Sequence, residues 1–177
     1  MISSNDNYRE KGWCMSGIEQ FSGFEVVRAA MEVEKNGHRF YSTMAQRATH
    51  ELARELFSWL AQDEVEHLRR LKQVEAKFQE SAYFADDEEF LPYLRRFSDQ
   101  EVFPSAERLE SVLQGPDGDL AALALAIEAE DKFAAYFAWA AEHALEPDGR
   151  EAFAWLAAEE IRHGELLRER QERLTKR

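Results

Sequence analysis

Arg54-Glu55-Leu56-Phe57-Ser58-Trp59-Leu60-Ala61-Gln62-Asp63-Glu64-Val65-Glu66-His67 returns 96 residues later as Arg150-Glu151-Ala152-Phe153-Ala154-Trp155-Leu156-Ala157-Ala158-Glu159-Glu160-Ile161-Arg162-His163. Eight of the fourteen positions are identical, and no gap is needed. The same shift carries Ala30, Glu32 and Glu34 onto Ala126, Glu128 and Glu130. Shared helical composition does not set a Phe, a Trp, a Glu and a His in one register. The chain therefore reads as a duplicated unit with an approximate twofold axis. A residue on the inner face of one half has a counterpart facing it from the other.

Around both copies the sequence is rich in Ala, Leu, Glu and Arg, which favours helix over strand. Its turn chemistry is concentrated at Gly115-Pro116-Asp117-Gly118 and Pro147-Asp148-Gly149, with Pro92 and Pro104 punctuating the middle. Four long helices are predicted, at about 23–48, 50–80, 120–145 and 149–172. Ser22-Gly23-Phe24-Glu25 reads as a capping box for the first, with Phe21 and Val26 as its hydrophobic staple. Thr49 is the expected N-cap of the second, Asp119 precedes the third, and Asp148 with Glu151 opens the fourth. Short turns join the first helix to the second and the third to the fourth, so each pair is an antiparallel hairpin. Residues 81–118 form a crossover whose Tyr83, Phe84, Phe90, Tyr93, Phe97 and Phe103 are too aromatic for a polar linker. A short helix at about 87–97 is expected there. Residues 1–21 are set apart as an N-terminal segment, and 22–177 as one all-α domain. Two duplicated antiparallel hairpins joined by one long crossover make a ferritin-like four-helix bundle.

Steps of three and four residues give each helix one inward stripe. The second helix contributes Phe57, Leu60, Glu64, His67, Leu71, Val74 and Phe78; the fourth contributes Phe153, Leu156, Glu160, His163 and Leu167. The first carries Val27, Ala30, Glu34, Gly37, Tyr41, Met44 and Ala48, and the third Leu123, Ala126, Glu130, Phe133, Phe137, Ala140 and Ala144. Every apolar stripe is broken by one carboxylate, and two stripes add an imidazole one turn on. Residues three apart share a helix face, so Glu64 with His67, and Glu160 with His163, can each grip one ion.

Four carboxylates in one core, with no Lys or Arg on their stripes, need a counter-charge, because one buried ion already costs several kcal/mol. Two divalent cations cancel four negative charges. Oxygen donors with one imidazole per ion suit iron or manganese, with zinc permitted by softness alone. A Glu from each of two helices plus Glu-x-x-His from each of the other two is a general pattern of di-iron and di-manganese bundles. A single Glu-x-x-His is weak, since polar pairs three apart abound on solvated faces. The registered pair on apolar seams carries the weight. His38, His50 and His143 lack such support and read as surface residues, while Trp59 and Trp155 read as core or hairpin packing. Tyr41, two turns past Glu34, either packs the core or bonds a ligand carboxylate.

Glu32-Val33-Glu34-Lys35-Asn36-Gly37-His38-Arg39-Phe40-Tyr41 resembles the first helix of the rubrerythrin-like branch of the ferritin-like superfamily. Ala53-Arg54-Glu55-Leu56-Phe57, leading to Glu64 and His67, resembles its second. The resemblance implies a di-iron carboxylate centre with Glu34, Glu64, His67, Glu130, Glu160 and His163 as ligands to two iron ions, manganese or zinc being the alternatives. It also implies a homodimer, and peroxidase or ferroxidase chemistry on hydrogen peroxide or dioxygen. Rubrerythrins proper carry a rubredoxin-like domain with four cysteines, whereas this chain has Cys14 alone. A separate electron donor, rubredoxin-like or a flavoprotein, is therefore expected. They also commonly carry a further carboxylate one turn after the third-helix ligand, where this chain has Phe133. Iron storage or delivery, a di-manganese catalase, and a non-catalytic structural bundle with a vestigial metal site are the other readings.

Composition bounds the rest. A chain of 177 residues suits one domain with one core. Lys plus Arg total 22 against 35 Asp plus Glu, a formal net charge of -13 that repels nucleic acid and anionic membranes and attracts cations. Cys14 alone excludes an internal disulfide, a Cys-ligated zinc site and an iron–sulfur cluster built within this chain. The longest apolar stretch, Leu120 to Ile127, is far short of a membrane span, and the first residues show no signal-peptide core. A cytoplasmic protein is expected.

Overall fold

A computed structural model describes residues 23–78, 106–115, 117–144 and 147–176. Among them are five helices and no strand: α1 (Gly23–Arg47), α2 (Glu51–Phe78), α3 (Ala106–Leu113), α4 (Gly118–His143) and α5 (Pro147–Thr175). The predicted stripes are the buried faces: the inward residues named above for the four long helices are withdrawn from solvent, apart from Ala144, which is half-buried at the end of its helix, and Phe78, whose side chain lies outside the described residues. Burying one stripe per helix makes the four packing decisions together. α1 pairs with α2 and α4 with α5, α2 also packs on α5, and α3 lies on α4.

The core falls into two apolar clusters. One joins Val27 and Met31 of α1, Leu71 and Val74 of α2, Phe133 and Phe137 of α4, and Phe153 and Leu156 of α5. The other joins Tyr41 and Met44, Phe57 and Leu60, Leu123 and Ala126, and Leu167, with Leu109 of α3. The start of α1 thus meets the end of α2, and the start of α5 meets the end of α4, as antiparallel hairpins require. The repeat exchanges the clusters, carrying Phe57 to Phe153, Leu71 to Leu167 and Val27 to Leu123. In every long helix the acidic position falls between them.

Both hairpins turn by the same device. The Arg54 guanidinium donates to the Ala48 carbonyl at 3.1 Å, and that of Arg150 donates to the Ala144 carbonyl at 3.3 Å. Each arginine, from the first turn of one helix, satisfies a carbonyl left open at the end of the helix before it.

The caps differ from those expected. Asp119 lies inside α4, and its carboxylate reaches the other hairpin, accepting the Thr49 N–H at 3.1 Å, the Thr49 hydroxyl at 2.8 Å and the His50 N–H at 2.6 Å. The Thr49 hydroxyl is thereby spent as a donor. His50 caps α2 instead, its Nδ1 accepting the Leu52 N–H at 3.2 Å. α4 begins at Gly118, after Asp117, whose side chain makes no capping bond. A Cβ at Gly118 would lie 2.5 Å from the Leu113 carbonyl oxygen, so the turn into α4 admits no larger residue. α5 begins at Pro147, a residue suited to a first turn, and Asp148 accepts from Lys77 Nζ at 2.7 Å. The crossover does carry a helix, α3, at its far end; the one expected at about 87–97 lies outside the described residues, as do Ser22 and the segment 1–21. No described helix is long and apolar enough to cross a membrane.

Candidate metal centre

Glu34 of α1, Glu64 and His67 of α2, Glu130 of α4, and Glu160 and His163 of α5 are each at most 2% exposed. Among the described residues no other buried side chain is charged. They form one polar layer between the two apolar clusters. His67 Nδ1 lies 3.0 Å from Glu34 Oε2 and 3.4 Å from both Glu64 Oε2 and Glu160 Oε1. His163 Nδ1 lies 3.3 Å from Glu160 Oε2 and 3.7 Å from Glu130 Oε1. The two imidazoles stack, with ring centroids 5.3 Å apart. Three groups of donors result, each with its donor atoms within 4.8 Å of one another: two fully buried, Glu34, Glu64, His67 and Glu160, and Glu64, Glu130, Glu160 and His163, and one less buried, Asp63, His67, Glu159 and His163. Glu64 and Glu160 belong to both buried groups. All six predicted residues are brought together, in an arrangement that could hold a metal.

The electrostatics are those of carboxylates and imidazoles crowded together away from water. Burial pushes Glu34, Glu64 and Glu130 above the usual carboxylate range, reinforced for each by a neighbouring carboxylate. Burial pushes Glu160 the same way, but the imidazoles of His163 and His67 outweigh it and hold that carboxyl well below its ordinary value. Burial would lower both histidines. The carboxylates around them prevail, raising His67 far above its ordinary value and His163 to about 12. Protons therefore do in the protein alone what cations would otherwise do. The fit to a metal rests on atoms: Glu34 Oε1, Glu130 Oε2, Glu160 Oε2 and His163 Nδ1 are buried with no hydrogen-bond partner. Hard oxygen donors with one imidazole per buried group match iron or manganese chemistry.

Behind these residues stands a layer that periodicity did not pick out. His163 Nε2 donates to Asp63 Oδ2 at 2.9 Å, which turns Nδ1 toward the carboxylates. The hydrogen bond from His163 holds Asp63 below the usual carboxylate range. Trp59 meets His163 edge-on at 5.7 Å, and Trp155 meets His67 edge-on at 5.1 Å, so each tryptophan packs on the imidazole of the other hairpin. Arg162 lies over Trp59 at 4.9 Å and Arg70 over Trp155 at 4.0 Å. The repeat carried the signal, since an acid precedes each seam Glu and a Trp recurs in register in both copies. Tyr41 takes the second of its two roles, its buried hydroxyl donating to Glu130 Oε1. Phe133 is buried in an apolar cluster and adds no seventh donor. His38 and His50 are half-buried rather than surface residues: His38 Nδ1 donates to the Ala61 carbonyl at 2.7 Å, and His50 caps α2. The side chain of His143 lies outside the described residues.

A duplicated four-helix bundle with four carboxylates and two imidazoles buried at its middle defines the ferritin-like class. The family model for rubrerythrin matches residues 25–170, and the chain belongs to that ferritin-like di-iron carboxylate family. No curated protein and no solved structure matches the chain.

Proposed function

We propose that the chain holds two iron ions through Glu34, Glu64, His67, Glu130, Glu160 and His163 and reduces hydrogen peroxide or dioxygen. The observation that carries this reading is the buried layer itself: every buried charged residue among those described belongs to it. Bound iron would supply the two electrons that convert one hydrogen peroxide, with two protons, into two waters, and a separate donor would restore them. Glu34, Glu64, His67 and Glu160 would hold one ion, and Glu64, Glu130, Glu160 and His163 the other. Tyr41 fixes one oxygen of Glu130 and leaves the other for an ion. The apolar clusters on either side exclude bulk water, and a chain whose formal net charge is -13 concentrates ferrous ion around itself.

The test is metal analysis of protein purified from its own source, with peroxide and oxygen consumption measured in the presence of a reductant. Two iron ions per chain are expected, with stoichiometric binding lost in Glu64→Ala and Glu160→Ala. Full metal content in either variant would reject the ligand assignment. A loaded protein that consumes neither oxidant would reject the redox reading.

A further inference from the structure

The six ligand candidates are doubled by the repeat, but what stands behind them is not. Asp63 and Glu159 are equivalent positions, each preceding a seam Glu. Asp63 accepts the His163 Nε2 proton at 2.9 Å. Glu159 does not return this to His67, because Arg162 takes it, with Nε at 2.9 Å from Glu159 Oε2 and Nη2 on the same oxygen. His67 Nε2 is left buried with no hydrogen-bond partner. Arg162 occupies the position where the first copy has Glu66, so only one half brings a cation to this place. Its Nη2 also reaches Asp63 Oδ2 at 2.6 Å, steadying the carboxylate that steadies His163.

Tyr41 supplies a second, independent difference. Its hydroxyl anchors Glu130, while the equivalent residue in the other half is Phe137, which has no hydroxyl to offer Glu34. Glu34 Oε2 instead bonds His67 Nδ1 directly at 3.0 Å. For both to face one ion, that contact must open. On one side the donors are already aimed; on the other they are bonded to each other, and His67 Nε2 has no hydrogen bond to fix it.

We infer that the two ion positions are unequal: the one bounded by Glu130, Glu160 and His163 fills first and more tightly, with Asp63 and Tyr41 as its positioning residues. The position bounded by Glu34, Glu64 and His67 fills second and exchanges its ion more readily. Outer partners that fix a ligand's tautomer and orientation typically account for 10–100-fold in metal affinity, so the two steps should be separated by about that factor. The inference rests on the two-ion reading above.

The test is titration of metal-free protein with cobalt(II), followed by calorimetry and visible absorption. Two ions per chain in two resolved steps are expected, the tighter surviving in His67→Ala and missing from His163→Ala. Asp63→Asn should weaken the tighter step by about 10–100-fold and leave the weaker one in place. Tyr41→Phe, which removes only a hydroxyl, should act in the same direction and serves if Asp63→Asn fails to fold. A wild-type protein that takes two ions with one affinity, a tighter step that belongs to His67, or variants that weaken both steps alike would overturn the inference and leave the two-ion reading standing. Fewer than two ions per wild-type chain would overturn the two-ion reading itself.

Discussion

Gly37 stands one turn after Glu34 on α1, and a Cβ there would lie 3.0 Å from both Cδ and Oε1 of Glu64. The missing side chain is room for a carboxylate. Its counterpart in the repeat is Phe133, a large ring packed into an apolar cluster, so the two halves treat this position in opposite ways. Gly37→Ala should raise helix propensity by up to about 1 kcal/mol while pushing the Glu64 carboxylate aside by a few tenths of an ångström. The melting temperature of the metal-free protein should therefore hold or rise as cobalt affinity falls about tenfold. Unchanged affinity in that variant would show that Glu64 does not depend on the space.

At the scale of the helix, Asp119 ties the hairpins together. Its carboxylate sits in α4 but receives three hydrogen bonds from the turn before α2. Asp119→Ala should cost about 1–2 kcal/mol, in line with the loss of a cap, and hydrogen exchange should quicken first at the amides of Thr49 and His50. Quickening confined to the start of α4 would mean that Asp119 serves only its own helix. The same residue explains what the sequence hid. Stripe positions such as Phe57, Glu64 and Leu71 are legible because helical periodicity is local and burial follows it. A cap is legible only when its partner is nearby, and here acceptor and donors lie 70 and 69 residues apart. Thr49 and Asp119 each matched a local rule whose atoms were engaged elsewhere. Asp63 and Arg162 escaped for a related reason, since they lie off the centre of the stripe and act on the histidine of the facing hairpin or on its partners.

For the molecule as a whole, the polar layer makes stability depend on protons when metal is absent. Glu34, Glu64 and Glu130 have folded values above their ordinary 4.5, so their contribution is complete below that value and is lost as pH rises through the folded one. His67 and His163 behave alike, contributing fully below 6.5 and losing it as pH climbs, for His163 toward about 12. Asp63 and Glu160 run the other way, contributing above 3.8 and 4.5 and losing it as pH falls through their lowered folded values. The metal-free bundle should melt highest near about pH 5 and lose stability toward alkaline pH. Metal must displace the same protons, so the gain in melting temperature on adding cobalt(II) or iron(II) should grow between about pH 5 and about pH 8. A gain that stays flat across that range would contradict proton displacement at the centre.

Trp59 and Trp155 give the bundle a property that needs no added label. Each indole lies edge-on to one imidazole of the opposite hairpin, at 5.7 and 5.1 Å. A paramagnetic ion seated at either histidine is therefore within quenching reach of a neighbouring fluorophore. The arrival of either ion should dim both indoles, so occupancy of the centre is written into the protein's own emission.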